Sequence, residues 1–225
     1  MQKNKITKDY DTVLFDLDGT LTDPGVGITN SIMYALNKFG IHVRDRKSLY
    51  SFIGPPLTES FSRQFGFSPS KAQQAVEYYR EYFADRGIYE NILYEGTDKM
   101  LAALCNAGKR LITATSKPEI FAVKVLEYFD IKKYFAYVAG ADMHGRRSEK
   151  TAVIRYAATT CLLSDTSKCV MVGDRENDVN GARANGMDSI GVLYGYGSAE
   201  ELSSAGADYL AATQADVCGI ILGNG

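Results

Sequence analysis

Five short apolar runs, set apart by amphipathic stretches, constrain this chain more than any other feature: 12–15, 110–114, 137–139, 169–172 and 189–193. They are rich in β-branched residues and flanked closely by Gly, Asp or Ser. Strands of that kind are buried on both faces, and their alternation with helical segments gives a parallel sheet covered by helices on both sides. The expected fold is α/β.

The first interval breaks the rhythm. Roughly 95 residues separate Phe15 from Arg110, where a complete strand–helix–strand unit takes about 30. Inside it Ile28, Ile32, Ala35, Leu36 and Phe39 recur at helical spacing. A second amphipathic run, 52–65, accompanies the Gly54-Pro55-Pro56 break, and a third covers 72–83, where Tyr78, Tyr79 and Tyr82 read as a helix packing face. Residues 24–91 are therefore expected to form a small all-helical insertion domain, leaving 1–23 and 92–225 as the core domain. Tyr94-Glu95-Gly96 marks the return to the sheet.

Composition narrows the partners. The chain has 225 residues, 45% hydrophobic, a length that allows one domain carrying an insertion. Its 25 basic and 27 acidic residues leave a net charge of −2, with neither sign gathered into blocks. A nucleic-acid polymer or an anionic membrane is therefore not the expected partner; a small molecule is. Cys105, Cys161, Cys169 and Cys218 lack metal-ligand spacing and read as reduced thiols, which, with a polar start over 1–9, makes the cytoplasm the expected location.

The chemistry gathers where the runs end. Asp16-Leu17-Asp18-Gly19-Thr20 follows the first run directly, and in an open α/β sheet ligands bind beyond the carboxyl ends of the strands. Continued strand geometry puts Asp16 and Asp18 on one side, where they repel each other unless a cation or a proton intervenes. Gly173-Asp174-Arg175-Glu176-Asn177-Asp178 follows the fourth run, bringing two more carboxylates to the same edge. Taken singly, Asp18-Gly19 also suits a tight turn, and Asp174 and Asp178 suit a helix N-terminus. Taken together, carboxylates at adjoining strand ends call for a hard cation, and Mg2+ matches oxygen ligands plus a substrate phosphate. Thr115-Ser116 closes the second run, where a hydroxyl and nearby N–H groups can hold a phosphate oxygen or simply cap a helix. Lys150 sits at the start of a helix, where its charge opposes the macrodipole unless something negative lies close by; otherwise it is an exposed lysine. His42 and His144 have no partners in sequence and read as incidental.

In this order and on these strand ends, the four elements resemble those of the haloacid dehalogenase-like hydrolase superfamily across nearly the whole chain. Asp16-Leu-Asp18-Gly-Thr is similar to its first motif, Thr115 to its second, Lys150 to its third, and Gly173-Asp174 with Asp178 to its fourth. The resemblance implies a Rossmann-like core with a C1 cap formed by 24–91. It also implies a phosphate-monoester hydrolase in which Asp16 is the nucleophile and Asp18 the acid/base. Mg2+ would be held by Asp16, the Asp18 main-chain carbonyl and Asp174. Gly19, Thr115, Ser116 and Lys150 would bind the phosphate, with Asp178 supporting from behind and Gly25 and Gly27 at the cap hinge. The Phe52-Ile-Gly-Pro-Pro-Leu57 and Gly191-Val-Leu-Tyr-Gly-Tyr-Gly-Ser198 segments are similar to the phosphoglycolate phosphatase-like group, many of whose members carry the name 5'-nucleotidase. Thr115-Ser116-Lys117, where the phosphoglycolate enzymes commonly have Thr-Asn-Lys, and the absence of Lys-Pro-x-Pro at Lys150 favour the nucleotidase branch. The competing readings are a phosphomutase, pyrophosphatase or phosphonate hydrolase of the same superfamily, and an inactive phosphate-binding regulatory module. Asp18 argues against dehalogenation.

Overall fold

Alternation along the first strand sets up the two faces of the molecule. In the computed structural model, which describes residues 8–143 and 147–223, the strands are β1 (Thr12–Phe15), β2 (Thr22–Asp23), β3 (Ile92–Leu93), β4 (Arg110–Pro118), β5 (Tyr137–Ala141), β6 (Cys169–Gly173), β7 (Asp188–Val192) and β8 (Tyr209–Ala211). The helices are α1 (Gly25–Asn37), α2 (Leu57–Phe65), α3 (Pro69–Tyr82), α4 (Thr97–Asn106), α5 (Glu119–Tyr128), α6 (Lys150–Thr160), α7 (Glu176–Ala184), α8 (Ala199–Ala205) and α9 (Gln214–Leu222). Val13 and Phe15 of β1 enter a core with Leu101 and Leu104 of α4, Val125 of α5 and Val217 of α9. Leu14 points the other way, into a core with Val153, Ile154 and Ala157 of α6 and Ala182 of α7. Burial on both sides is why these strands are apolar throughout.

Six strands form one parallel sheet in the order β5-β4-β1-β6-β7-β8. The chain builds outward from β1 through β4 to β5, then crosses to β6 on the other side, so β1 lies at the point where the order reverses. Phe15 is level with Thr113 of β4 and with Val172 of β6. The residues that follow these three strands therefore emerge at one edge, beside the reversal, where such folds bind ligands.

Several expectations need adjustment. Strand β4 continues through Thr115 to Pro118 instead of stopping at 114, because it still pairs with β5 there, across a register shift. Strand β8 was not anticipated, nor was the antiparallel pairing of Thr22 with Leu93 and Asp23 with Ile92, which ties together the two ends of the 24–91 segment. The second helical run begins at Leu57, not at 52; Pro55 and Pro56 cannot sit inside a helix, and Phe52 ends a 3-10 turn, Arg46–Phe52. Gly25 and Gly27 lie inside α1 with ordinary φ, so their use as a hinge is not apparent in the backbone. Gly27 instead allows close approach: a Cβ there would lie 1.9 Å from the carbonyl of Gly87, in the π-helical turn Phe83–Gly87. All four cysteines are free, with Cys161 and Cys169 buried. Among the described residues, no helix is long and apolar enough to cross a membrane. His144 and residues 1–7 of the polar start lie outside the described residues.

Leu14 has no exposed surface and carries the packing between β1 and α6. Leu14→Ala is expected to lower the unfolding free energy by roughly 2–5 kcal/mol, measured by urea titration; a loss under about 1 kcal/mol would contradict this account of the core.

Candidate active site

The end of β1 delivers Asp16, 3% exposed, and the chain folds back at once: Leu17 N–H donates to Asp16 Oδ1 at 2.7 Å, and Leu21 and Thr22 N–H donate to the Leu17 carbonyl. Gly19 makes this turn possible at φ 87°, and a Cβ on it would lie 2.2 Å from Asp174 Oδ2. No other residue fits between the turn and that carboxylate. Strand β6 ends in the same way, since a Cβ on Gly173 would lie 2.2 Å from Asp178 Cγ. Asp16, Asp174 and Asp178, all buried, each offer an oxygen within 4.8 Å of the others.

Lys150 opens α6 and is 4% exposed. Its Nζ lies 2.8 Å from Asp16 Oδ1, 2.8 Å from Asp178 Oδ1 and 3.0 Å from the Ala114 carbonyl. The negative neighbours that a cation at a helix start requires are these two carboxylates. Burial works against the Lys150 ammonium, but Asp16 and Asp178 outweigh it and hold its pKa above the ordinary lysine value.

One ammonium among three carboxylates leaves a buried excess of negative charge. Burial, then Asp178 and Asp16, push the Asp174 carboxyl well above the usual range. Burial pushes Asp178 up to about 6, with Lys150 restraining the rise. Asp174 Oδ2 accepts from Tyr196 N–H at 2.7 Å, whereas its buried Oδ1 has no hydrogen-bond partner among the described residues. A buried carboxylate oxygen without a donor is costly. This oxygen, its all-oxygen surroundings and the surplus negative charge fit a hard divalent cation such as Mg2+.

The side chain of Asp18 stands apart from this cluster. Lys117 Nζ, also buried, grips both of its oxygens at 2.8 and 2.6 Å and lies 4.7 Å from the centre of the Phe83 ring. Burial raises the Asp18 pKa although Lys117 opposes the rise. Thr115 is buried within β4, where its hydroxyl accepts from Lys117 N–H at 3.2 Å. Both Asp16 and Asp18 open into a cavity of about 160 Å3, as do Thr115 and Ser116. Its opposite wall comes from the 24–91 segment, chiefly Phe52, Leu57, Tyr79, Arg80 and Phe83.

The fold thus brings Asp16, Asp174, Asp178 and Lys150 together, with Gly19 against Asp174, and Asp18, Thr115 and Ser116 beside them. Lys117 and Arg80 were not singled out from sequence. Lys117 meets a carboxylate 99 positions away, and Arg80 Nη2 reaches the Met143 carbonyl at 3.0 Å across a still different segment. Tyr79, expected only to pack, lines the cavity.

A parallel α/β sheet with an acidic, cation-fitted cluster at its reversal point defines the broad class. The family follows from comparison: the model of the haloacid dehalogenase-like hydrolases matches residues 13–192, and this chain belongs to that family. It is 43% identical over 193 residues to a 5'-nucleotidase of Pseudomonas aeruginosa, covering 86% of this chain and 87% of that one. It is 42% identical over 188 residues to the tyrosine-protein kinase PtkA of Mycobacterium tuberculosis, covering 84% of this chain and 64% of the kinase. Among solved structures, one described as a "predicted phosphatase" of Clostridium acetobutylicum superposes with a TM-score of 0.94 at 45% identity, covering 96% of this chain and all of that one.

Two outcomes follow for the metal-free protein. Asp174 and Asp178 bind protons more tightly folded than unfolded, so stability is lost as pH rises from the ordinary carboxylate value through about 6, the Asp178 value. Cation binding needs the ionised forms, so Mg2+ should raise the melting temperature more at about pH 7.5 than at about pH 5; equal shifts, or none, would contradict the cluster's role. Asp174→Asn removes one of the crowded charges and keeps an acceptor for Tyr196. It should stabilise the metal-free protein by roughly 1 kcal/mol while abolishing the Mg2+ shift, and a lower melting temperature without metal would count against the electrostatic account.

Proposed function

We propose that this protein is a Mg2+-dependent phosphatase that hydrolyses small phosphate monoesters through an aspartyl-phosphate on Asp16. The observation that carries this reading is the placement of Asp16: its carboxylate lines the cavity, while Leu17 N–H and the Lys150 ammonium both hold the same oxygen, Oδ1. A carboxylate oriented in this way is a nucleophile positioned in advance.

Asp16 attacks phosphorus, forming a P–O bond as the bond to the leaving alcohol breaks, and Asp18 gives that alcohol its proton. Asp18 then takes a proton from water, which attacks the aspartyl-phosphate, releases phosphate and restores Asp16. Burial acts on Asp18 in the direction a proton donor needs, against the pull of Lys117. Mg2+ bound by Asp16, the Asp18 carbonyl and Asp174 supplies the positive charge that a carboxylate meeting a phosphate dianion requires. Thr115, Ser116, Lys150 and the turn at Gly19 bind the remaining phosphate oxygens, and Asp178 orients Lys150 at 2.8 Å.

Residues 24–91 act as a cap domain over the core formed by 1–23 and 92–225. The cavity wall that this segment contributes supports the reading. The substrate is a small phosphorylated molecule of the 5'-nucleotide or phosphoglycolate type. Ile28, Phe52, Leu57, Val76 and Phe83 make that wall largely apolar, which favours the nucleotide over the small, polar glycolate. The proposed location is the cytoplasm.

Asp16→Asn should lower turnover by about a thousandfold or more with the fold intact by circular dichroism, and chelation with EDTA should abolish activity reversibly. Phosphate release measured over nucleoside monophosphates, 2-phosphoglycolate, pyrophosphate and sugar phosphates tests the substrate class. Full activity in Asp16→Asn or in chelated enzyme would overturn the proposal, and phosphoryl migration within a sugar without phosphate release would indicate a mutase.

A further inference from the structure

Arg175 follows Asp174 directly, yet its side chain leaves the acidic cluster and reaches the 24–91 segment. Its Nη1 donates to the Ile53 carbonyl at 2.8 Å, while Nε pairs with Glu201 Oε1 at 2.8 Å. The same Glu201 oxygen accepts from Glu176 N–H at 2.9 Å, so the guanidinium is braced against the start of α7. Beside it Gly54 has φ 103°, and a Cβ there would lie 3.1 Å from Arg175 Cγ, so the loop and the arginine stem are in close contact.

What Arg175 holds is a wall of the cavity. Phe52, Gly54, Pro55, Pro56, Leu57 and Thr58 all line it. Two consecutive prolines fix φ at successive positions and stiffen the loop, so an anchor at Ile53 sets the position of the residues beyond it. The planar guanidinium fork can brace itself on Glu201 and bond the loop carbonyl together; a lysine ammonium on a flexible stem cannot reproduce that geometry.

We propose that Arg175 is a positioning residue for substrate selection: it pins the 52–58 loop against the edge of the sheet that carries Asp174, and so sets the shape of the cavity around the leaving group. This rests on the phosphatase reading for its kinetic consequence but not for its structural one. Substrates whose leaving group fills the cavity depend on the pin; those that present little beyond a phosphoryl group do not.

The test compares Arg175→Ala and Arg175→Lys with the wild-type protein, in saturating Mg2+, using p-nitrophenyl phosphate as the bulky probe and acetyl phosphate as the small one. In both variants kcat/KM for the bulky probe should fall about tenfold or more, as expected for a misplaced binding wall, while the value for acetyl phosphate stays within about twofold. The Mg2+ concentration for half-maximal activity should stay within about twofold as well. Equal losses on both probes, no loss on either, or full recovery in Arg175→Lys would overturn the proposal, since charge near Asp174 would then account for the residue. Amide exchange gives a readout without catalysis: segments spanning 49–58 should exchange at least about threefold faster in Arg175→Ala, and unchanged exchange would overturn the pin. If the wild-type protein hydrolyses neither probe and none of the phosphate esters named above, the phosphatase reading fails while the exchange measurement still decides the role of Arg175.

Discussion

Three buried carboxylates facing one ammonium are the constraint around which this structure is arranged. Asp16, Asp174 and Asp178 arrive from the ends of two neighbouring strands, β1 and β6, and Lys150 from α6, the helix after β5, whose ammonium reaches them past the Ala114 carbonyl of β4. Such a concentration of like charge is unfavourable in a protein interior, and burial, followed by that like charge, raises the proton affinity of Asp174 and Asp178. The local glycines answer to it as well, because Gly19 and Gly173 stand where any Cβ would strike an acidic side chain. An arrangement that costs stability when empty fits the cation proposed to bind it.

A second ion pair, Lys117 with Asp18, faces the same cavity but is separate from the first. The separation gives the two carboxylates at the end of β1 different surroundings: Asp16 is fixed by Leu17 N–H and Lys150, and Asp18 by Lys117 next to Phe83. Division of labour between a nucleophile and an acid/base partner rests on that kind of difference in environment. Because Phe83 belongs to the inserted segment, the surroundings of Asp18 depend on how that segment sits, which links the proposed cap to the proposed proton transfer.

Much of the fold was legible from local pattern. The strand carrying Asp16 ends where its apolar run does, and the helix at Lys150 begins where the sequence places it. Element ends were less legible where tertiary pairing decides them: β4 runs past Thr115 because β5 continues beside it, and the β2–β3 pairing joins residues some 70 positions apart. At the site, the residues recognisable by motif come together in the fold, whereas those defined by long-range contacts are not apparent in the sequence. Lys117 becomes informative once Asp18 lies 2.6 Å away, and Arg175 once Ile53 is within reach. Gly27, read as a hinge position, lies where a Cβ would strike the Gly87 carbonyl, a close approach that only the fold reveals.

In the proposed mechanism Asp16 becomes covalently phosphorylated during turnover. Acid quenching of the Mg2+-loaded enzyme within a single turnover of a nucleoside monophosphate, followed by peptide mass spectrometry, tests it directly. The expected result is a phosphoryl group on the peptide containing Asp16 that disappears when substrate is exhausted and is absent in Asp16→Asn. Turnover with the label on another residue, or with no covalent label at any time and inversion at a chiral phosphorus, would contradict it.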